Sequence, residues 1–128
     1  MQVKCLGNSA EALPDMYFEH GYTKFSSFDL DVGNTYSVYG ISRWVGLLLY
    51  LVVGRDQRPH WYPAELFQVT RTTLGSGWHF NFFGAEDQIT AIWGFQELVN
   101  DSEYHDRLAN LEPDALEKFE MRRKEMDE

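Results

Sequence analysis

Apolar and polar residues alternate along much of the first 95 residues, and this alternation predicts β-strands. The opening segment MQVKCLG places Val3 and Cys5 on one face of a strand, and YSVYGIS begins another strand at Tyr36. The segment ELFQVTRT resumes the alternation, as do two later aromatic segments. Those two place Trp78, Phe80 and Phe82 on one strand face and Ile89, Ala91 and Trp93 on another.

The longest apolar run, from Trp44 to Val53, predicts one strand that is covered on both sides. The run is much shorter than the roughly 20 residues that a helix needs to cross a bilayer. We therefore expect no membrane association. The loop that follows, GRDQRPH, contains the glycine, aspartate and proline that are typical of turns.

The apolar period changes after residue 95 and predicts helices. Residues 100–102 offer an N-cap, followed at helical spacing by Tyr104, Leu108 and Leu111. A second helix is predicted from Pro113, with acidic residues early, the sequence RRK late, and a narrow apolar stripe of Leu116 and Phe119.

These patterns predict a mainly β, α+β fold. It is a mostly antiparallel small barrel or curled sheet of about five to seven strands, with a C-terminal helical segment. At 128 residues the chain predicts a single domain, with a β-rich core over 1–95 and the helical segment over 96–128.

The composition is that of a globular protein, with 44% hydrophobic and 16% aromatic residues. Such a chain buries enough apolar area to offset the entropy of ordering it. Cys5 is the single cysteine, so no internal disulfide is expected and a reducing compartment is favoured. The chain does not open with a basic segment followed by an apolar one, which adds to the expectation of a cytoplasmic location.

The net charge of −9 at pH 7 narrows the classes of partner. Residues 1–95, 96–111 and 112–128 each carry −3, so the acidity per residue is concentrated in the final quarter. An acidic domain repels phosphate backbones, and we expect no nucleic-acid binding. The charge favours a basic protein partner, and the alternative is an acidic helical face that only keeps the protein in solution.

The residues that could carry chemistry do not form a recognisable motif. The four histidines lie far apart, without the spacing of a metal site: His20, His60, His79 and His105. Asp29 and Asp31 would share a strand face, where two close carboxylates raise one pKa, but exposed acids at a loop edge are commoner. We therefore predict no catalytic, cofactor-binding or metal-binding residue. An enzyme that uses His60 or His79 with a nearby carboxylate is the least favoured hypothesis.

The segment from Asp29 to Val69 resembles the chain plan of an SH3-like barrel. An acidic loop leads into a strand, then a central strand, a short loop, and a proline-containing 3₁₀ turn within RPHWYPAELFQV. In this resemblance Pro63 shapes the turn, and one end of the barrel is closed by Tyr62, Leu66 and Phe67. Trp61, at the loop boundary, is the candidate for a surface role. Peptide-binding SH3 domains have a tyrosine where this chain has Leu66, which argues against proline-rich ligands.

Most of the chain is also similar to small uncharacterised bacterial proteins with the pattern GYTKxxxFDLxVGxxYxVYxI…WYPAELFxV…WxFxxF…ELVND. Those proteins resemble the immunity proteins of polymorphic toxin systems. The resemblance implies a non-enzymatic protein-binding domain that neutralises a cationic toxin domain in the cytoplasm. The expected contact residues are exposed acids and one aromatic: Asp29, Asp31, Asp56, Trp61, Glu65, Glu86 and Asp87.

The alternative function is an SH3-like adaptor or a self-associating structural domain. An extended apolar edge, or a patch formed by Trp61 and Tyr62, would join copies of the chain into a homo-oligomer.

Overall fold

The computed structural model describes residues 1–127, which form two antiparallel sheets and three C-terminal helices. The smaller sheet has the order β2-β1-β6, with β1 at Gln2–Cys5, β2 at Thr35–Ser37 and β6 at Phe67–Arg71. The larger sheet has the order β5-β4-β3-β8-β7. Its strands are β3 at Gly40–Trp44, β4 at Leu47–Val53, β5 at Pro59–Pro63, β7 at His79–Phe82 and β8 at Ile89–Gly94.

The helices follow the last strand. They are α1 at Gln96–Asn100, α2 at Ser102–Ala109 and α3 at Pro113–Asp127. Three short 3₁₀ helices lie at Ala10–Ala12, Asp15–Glu19 and Ala64–Leu66. Within residues 1–127, none of the helices has both the length and the apolar character that crossing a membrane requires.

The predicted fold class is confirmed, since the protein is mainly antiparallel β with a C-terminal helical segment. The two sheets stay open, so the molecule has the curled form and does not close into a barrel. Residues 1–127 contain eight strands, more than the predicted five to seven, because the strand predicted from Tyr36 is divided into β2 and β3 and because β5 lies where a loop and a turn were predicted.

The segment from Asp29 to Val69 contains strands β2 to β5 and the first part of β6. Strands β3, β4 and β5 form a meander, a 3₁₀ turn follows Pro63, and β6 returns to pair with β1. Pro63 has φ −54, the value that its ring imposes, and it cannot extend the ladder beyond this point. Three side chains predicted to close this end are buried: Tyr62, Leu66 and Phe67.

The apolar run from Trp44 to Val53 contains the predicted buried strand as β4 at Leu47–Val53, but Trp44 ends β3 and the next two residues form a hairpin turn. Val45 and Gly46 have φ of 45° and 85°, and these two residues join β3 to β4. Two consecutive residues with positive φ are typical of the tight turns that connect twisted strands. Valine is rare at such a position, so the sequence carries only the glycine as a signal.

The strand predicted from Tyr36 is divided where the chain passes from one sheet to the other. The Val38 amide donates to the Met1 carbonyl at 3.0 Å, and the next amide, of Tyr39, donates to the Leu51 carbonyl at 2.9 Å. Adjacent residues therefore belong to different sheets, and this corner separates β2 from β3.

The cap predicted for the first long helix is confirmed at Asp101, whose side chain accepts from the Tyr104 amide at 3.1 Å. Tyr104 and Leu108 are buried as their spacing predicts. Leu111 does not continue the apolar stripe of α2, because it has a φ of 57° and lies in the connection to α3. Pro113 is the first residue of α3, as expected.

Two apolar clusters form the core. One lies between the two sheets and includes Tyr17 and Leu30 from the segment that follows β1. The other joins the larger sheet to the helices and includes Phe95 and Phe119. Two glycines allow the larger sheet to pack closely against α1. A Cβ at Gly40 would lie 2.6 Å from Leu98 Cδ2, and a Cβ at Gly94 would lie 2.8 Å from the same atom.

Candidate functional site

One part of the larger sheet's outer face is uncovered. Cross-strand partners form two rows there, Phe80–Trp93–Ile41 and Phe82–Ala91–Arg43, and the second row reaches Leu48 on β4. Phe80 and Phe82 are 55% and 62% exposed, and the Phe80 and Trp93 ring centroids lie 4.9 Å apart. We define the open face as Ile41, Arg43, Leu48, Phe80, Phe82 and Trp93.

The alternation of strand side chains explains why this face is open. On β4, Leu49 and Leu51 point to the opposite face, where Leu51 joins the cluster with the helices. Tyr50 points outward and is buried against Phe67 of the smaller sheet, with ring centroids 5.9 Å apart. The smaller sheet therefore covers one end of the outer face and leaves the end at the edge strand β7 exposed.

An exposed cluster of large apolar side chains is the feature that commonly marks a contact surface for another protein. The sequence placed Phe80 and Phe82 on one strand face, but it did not identify them as functional residues. The alternating residues of β7, His79 and Asn81, are polar, and this alternation shows which side chains share a face but not which face stays exposed. A strand with one polar and one aromatic face usually buries the aromatic face, and here the edge position leaves it open.

Two of the predicted contact residues, Asp29 and Asp31, lie beside the loop between β4 and β5. Arg55 Nε donates to Asp29 Oδ1 at 2.9 Å, and Arg55 Nη1 lies 3.6 Å from Asp31 Oδ1. The Arg55 amide also donates to the Asp29 carbonyl at 2.9 Å. The same loop carries Asp56, so three of the predicted acids lie on or beside this loop, and two of them pair with Arg55.

Asp56 accepts two hydrogen bonds within its own loop. The Arg58 amide donates to Asp56 Oδ1 at 3.0 Å, and His60 Nε2 lies 2.6 Å from Asp56 Oδ2. Burial acts to raise the Asp56 pKa, but these two partners outweigh it and hold the pKa below its usual range. Asp56 therefore keeps its negative charge, as a contact with a basic partner requires.

Glu65 lies on a different element, the 3₁₀ turn at Ala64–Leu66, where it accepts a hydrogen bond from the Tyr17 hydroxyl. Tyr17 is fully buried, and its burial, reinforced by the Glu65 carboxylate, raises the tyrosine pKa. Glu65 thus has a structural role inside the molecule in addition to the contact role predicted from the sequence.

Glu86 and Asp87 lie in the exposed turn between β7 and β8. This turn ends the hairpin that carries Phe80 and Phe82, so two predicted acids border the open face. The Asp87 amide donates to the Gly84 carbonyl at 3.3 Å, which closes the turn. Both carboxylates face water and are available to a partner.

Trp61 lies on the opposite face of the sheet from the open face. Its cross-strand partner is Leu51, and its ring stacks on His105 of α2 with centroids 5.8 Å apart and planes 28° apart. Trp61 therefore contacts α2, whereas Glu86 and Asp87 border the open face on the other side of the sheet, so the predicted contact residues do not form one surface.

The other two histidines lie on separate elements of the fold. His20 lies edge-on to Trp44 at 6.0 Å, and His79 is exposed on the edge strand β7. In the part of the chain that the structure describes, no three His, Cys, Asp or Glu side chains lie close enough together to hold a metal ion.

Comparison of the chain with protein-family models, with curated proteins and with solved structures found no match to any of them.

Proposed function

We propose that this chain is a non-enzymatic protein-binding domain of the immunity-protein kind, which covers a cationic toxin domain with its open face. The exposure of Phe80 and Phe82 on that face is the observation that carries the proposal. The net charge of −9 and the acids that border the hairpin favour a basic partner over an acidic one.

The two parts of this surface have different roles in binding. Aromatic side chains that become fully desolvated supply most of the affinity of a typical interface. Charged residues around them mainly speed the encounter and select a partner of the opposite charge. Phe80 and Phe82 are therefore the expected anchors, and Glu86 and Asp87 are the expected steering charges.

The proposal is tested by co-expressing this chain with the product of the neighbouring gene and measuring the affinity of the purified pair by calorimetry. We expect Phe82→Ser to weaken binding by about tenfold or more, because truncation removes a central aromatic anchor. The matched control is Phe25→Ser, since Phe25 is 82% exposed but lies outside the open face. Equal binding by both variants and the wild type would exclude the open face as the contact surface.

The steering charges are tested separately by following association rates at several salt concentrations. We expect the double variant Glu86→Gln, Asp87→Asn to lower the association rate and to reduce its salt dependence, with a smaller effect on dissociation. A wild-type complex whose association does not respond to salt would contradict a cationic partner.

Self-association is a second candidate function, and the edge position of β7 favours it. The outer side of β7 has no strand partner within residues 1–127, and its phenylalanines are exposed. Such an edge can pair with the same strand of a second copy. Sedimentation of the purified protein at two concentrations separates the candidates, because only a self-associating domain sediments faster at the higher concentration.

A further inference from the structure

A cleft of about 260 Å³ lies on the face of the larger sheet that is opposite to the open face. Its aromatic walls are formed by Tyr22, Trp44 and Trp61. Its apolar floor includes Leu49 of β4 and Ile89 of β8, and α2 borders it with His105 and Ala109. This volume is near the lower end of the range for sites that bind small molecules.

Ser42 is the polar group at the floor of the cleft. Its side chain lines the cleft, although the residue is only 2% exposed. The side-chain hydrogen bonds found within residues 1–127 do not include its hydroxyl. The hydroxyl is also not among the fully buried polar atoms that lack a partner, so it keeps access to the cleft and can bind a polar atom of a molecule there.

His105 is the polar group at the side of the cleft. It stacks on Trp61, and burial lowers its pKa while the neighbouring Asp106 acts in the opposite direction. The imidazole is therefore neutral at pH 7, and the lining of the cleft then carries no formal charge. A charged ligand would lose its hydration there without gaining an ion pair.

We propose that this cleft binds an uncharged, planar aromatic compound of one or two rings that carries a single hydrogen-bonding group. The rings of Trp44 and Trp61 line the cleft, and stacked or edge-on contacts between aromatic rings are favourable. The Ser42 hydroxyl binds the polar group of the compound. The apolar lining with few polar groups is the usual character of small-molecule sites.

This site is independent of the protein-binding surface. On β3, Ser42 faces the cleft, whereas its neighbours Ile41 and Arg43 belong to the open face. Binding of a small molecule and binding of a protein partner can therefore succeed or fail separately.

The chain contains four tryptophans, and two of them lie outside the cleft, so its own indole N–H signals locate the site. We use free indole as the probe and record proton–nitrogen correlation spectra during a titration of the full chain. We expect saturable shifts of the Trp44 and Trp61 side-chain signals, with a Kd of about 1 mM or lower, as small ligands of this size allow. The Trp78 and Trp93 signals stay in place. Shifts of all four signals, or shifts that do not saturate, would overturn the proposal.

Two variants test the residues that define the site. Ala109→Phe fills the cleft from an exposed helix position, and we expect it to abolish indole binding, while Ala85→Phe in the β7–β8 turn has no effect. Ser42→Ala should weaken indole by about threefold to tenfold but leave indene, which lacks the N–H, unchanged. The same spectra report that each variant is folded. Unchanged indole binding by Ala109→Phe, or equal losses of indole and indene in Ser42→Ala, would contradict the assignment.

Discussion

His105 combines burial with a titratable ring, and this makes it the residue with the clearest dependence on pH. Burial lowers its pKa from the ordinary value of 6.5, and the weaker influence of Asp106 does not restore it. The folded state therefore binds a proton less readily than the unfolded state. We expect the free energy of unfolding to fall as the pH decreases below about 7, because the unfolded state takes up a proton on this ring more readily than the folded state does. Chemical denaturation at several pH values measures the slope.

His105→Phe should flatten this slope, since it removes the group whose pKa differs between the two states. His79→Gln is the matched control, because that ring is exposed on the edge strand, and its slope should equal the wild type's. Asp56 and Glu97 do not contribute to this slope, because their pKa values are lowered in the folded state. The stability that these two carboxylates add is present at pH values above their pKa in the unfolded chain, and it is lost only at lower pH. A slope that persists in His105→Phe would contradict the prediction.

Gly54 allows the close backbone contact that brings the acidic loops together. A Cβ at this position would lie 2.3 Å from the Asp29 carbonyl oxygen and 3.0 Å from the Tyr62 hydroxyl. Backbone atoms of Asp29 cannot move aside cheaply, because the neighbouring Arg55 amide is bonded to the same carbonyl. We expect Gly54→Ala to lower the free energy of unfolding by about 1–3 kcal/mol, the usual cost of overpacking.

Gly7→Ala is the comparison for this prediction. A Cβ at Gly7 would lie 3.2 Å from the side chain of Ala12, which is exposed and has room to shift. Urea denaturation of both variants measures the difference. An equal and small loss in the two would show that the loop contact at Gly54 adapts without strain.

Helix α3 is joined to α1 by one ion pair of good geometry. Arg122 Nε and Nη2 donate to the two carboxylate oxygens of Glu97 at 2.8 and 2.7 Å, and both side chains are partly buried. The arginine bonds, more than any other influence, hold the Glu97 pKa below its usual range. We expect Glu97→Gln to cost about 1 kcal/mol of stability, because a bidentate pair exceeds an ordinary surface pair.

Glu125→Gln is the matched control on the same arginine. Glu125 makes a single contact of 3.1 Å with Arg122 and is more exposed, so we expect a loss near zero. Thermal unfolding of the two variants compares them directly. A larger loss for Glu125→Gln would reverse the roles assigned to these carboxylates.

The elements differ in how well the sequence predicts them. Helix α2 has a capping side chain and helical spacing, so local chemistry alone locates it. The five residues of α1 are too few to show a period, and the β3–β4 turn has Val45 where a residue such as asparagine is usual, which leaves Gly46 as its one sequence signal. The acids illustrate the same limit, since Asp29 and Asp56 are far apart in the sequence and lie beside one loop only in the folded chain. The open face was missed because it depends on which sheet edge the second sheet covers.

The whole molecule combines a net charge of −9 with an exposed apolar face, and these two features oppose each other in self-association. Like charges on two copies of the chain repel each other over about one Debye length. This length is about 30 Å at 0.01 M salt and about 3 Å at 1 M salt. For the self-association candidate we therefore expect the sedimentation coefficient to rise with salt at a fixed protein concentration, because screening lets the open faces of two copies meet. The double variant Phe80→Ser, Phe82→Ser should remain at the monomer value in both buffers, whereas Phe25→Ser should follow the wild type. Salt-dependent association that survives in the double variant would assign the contact to another surface.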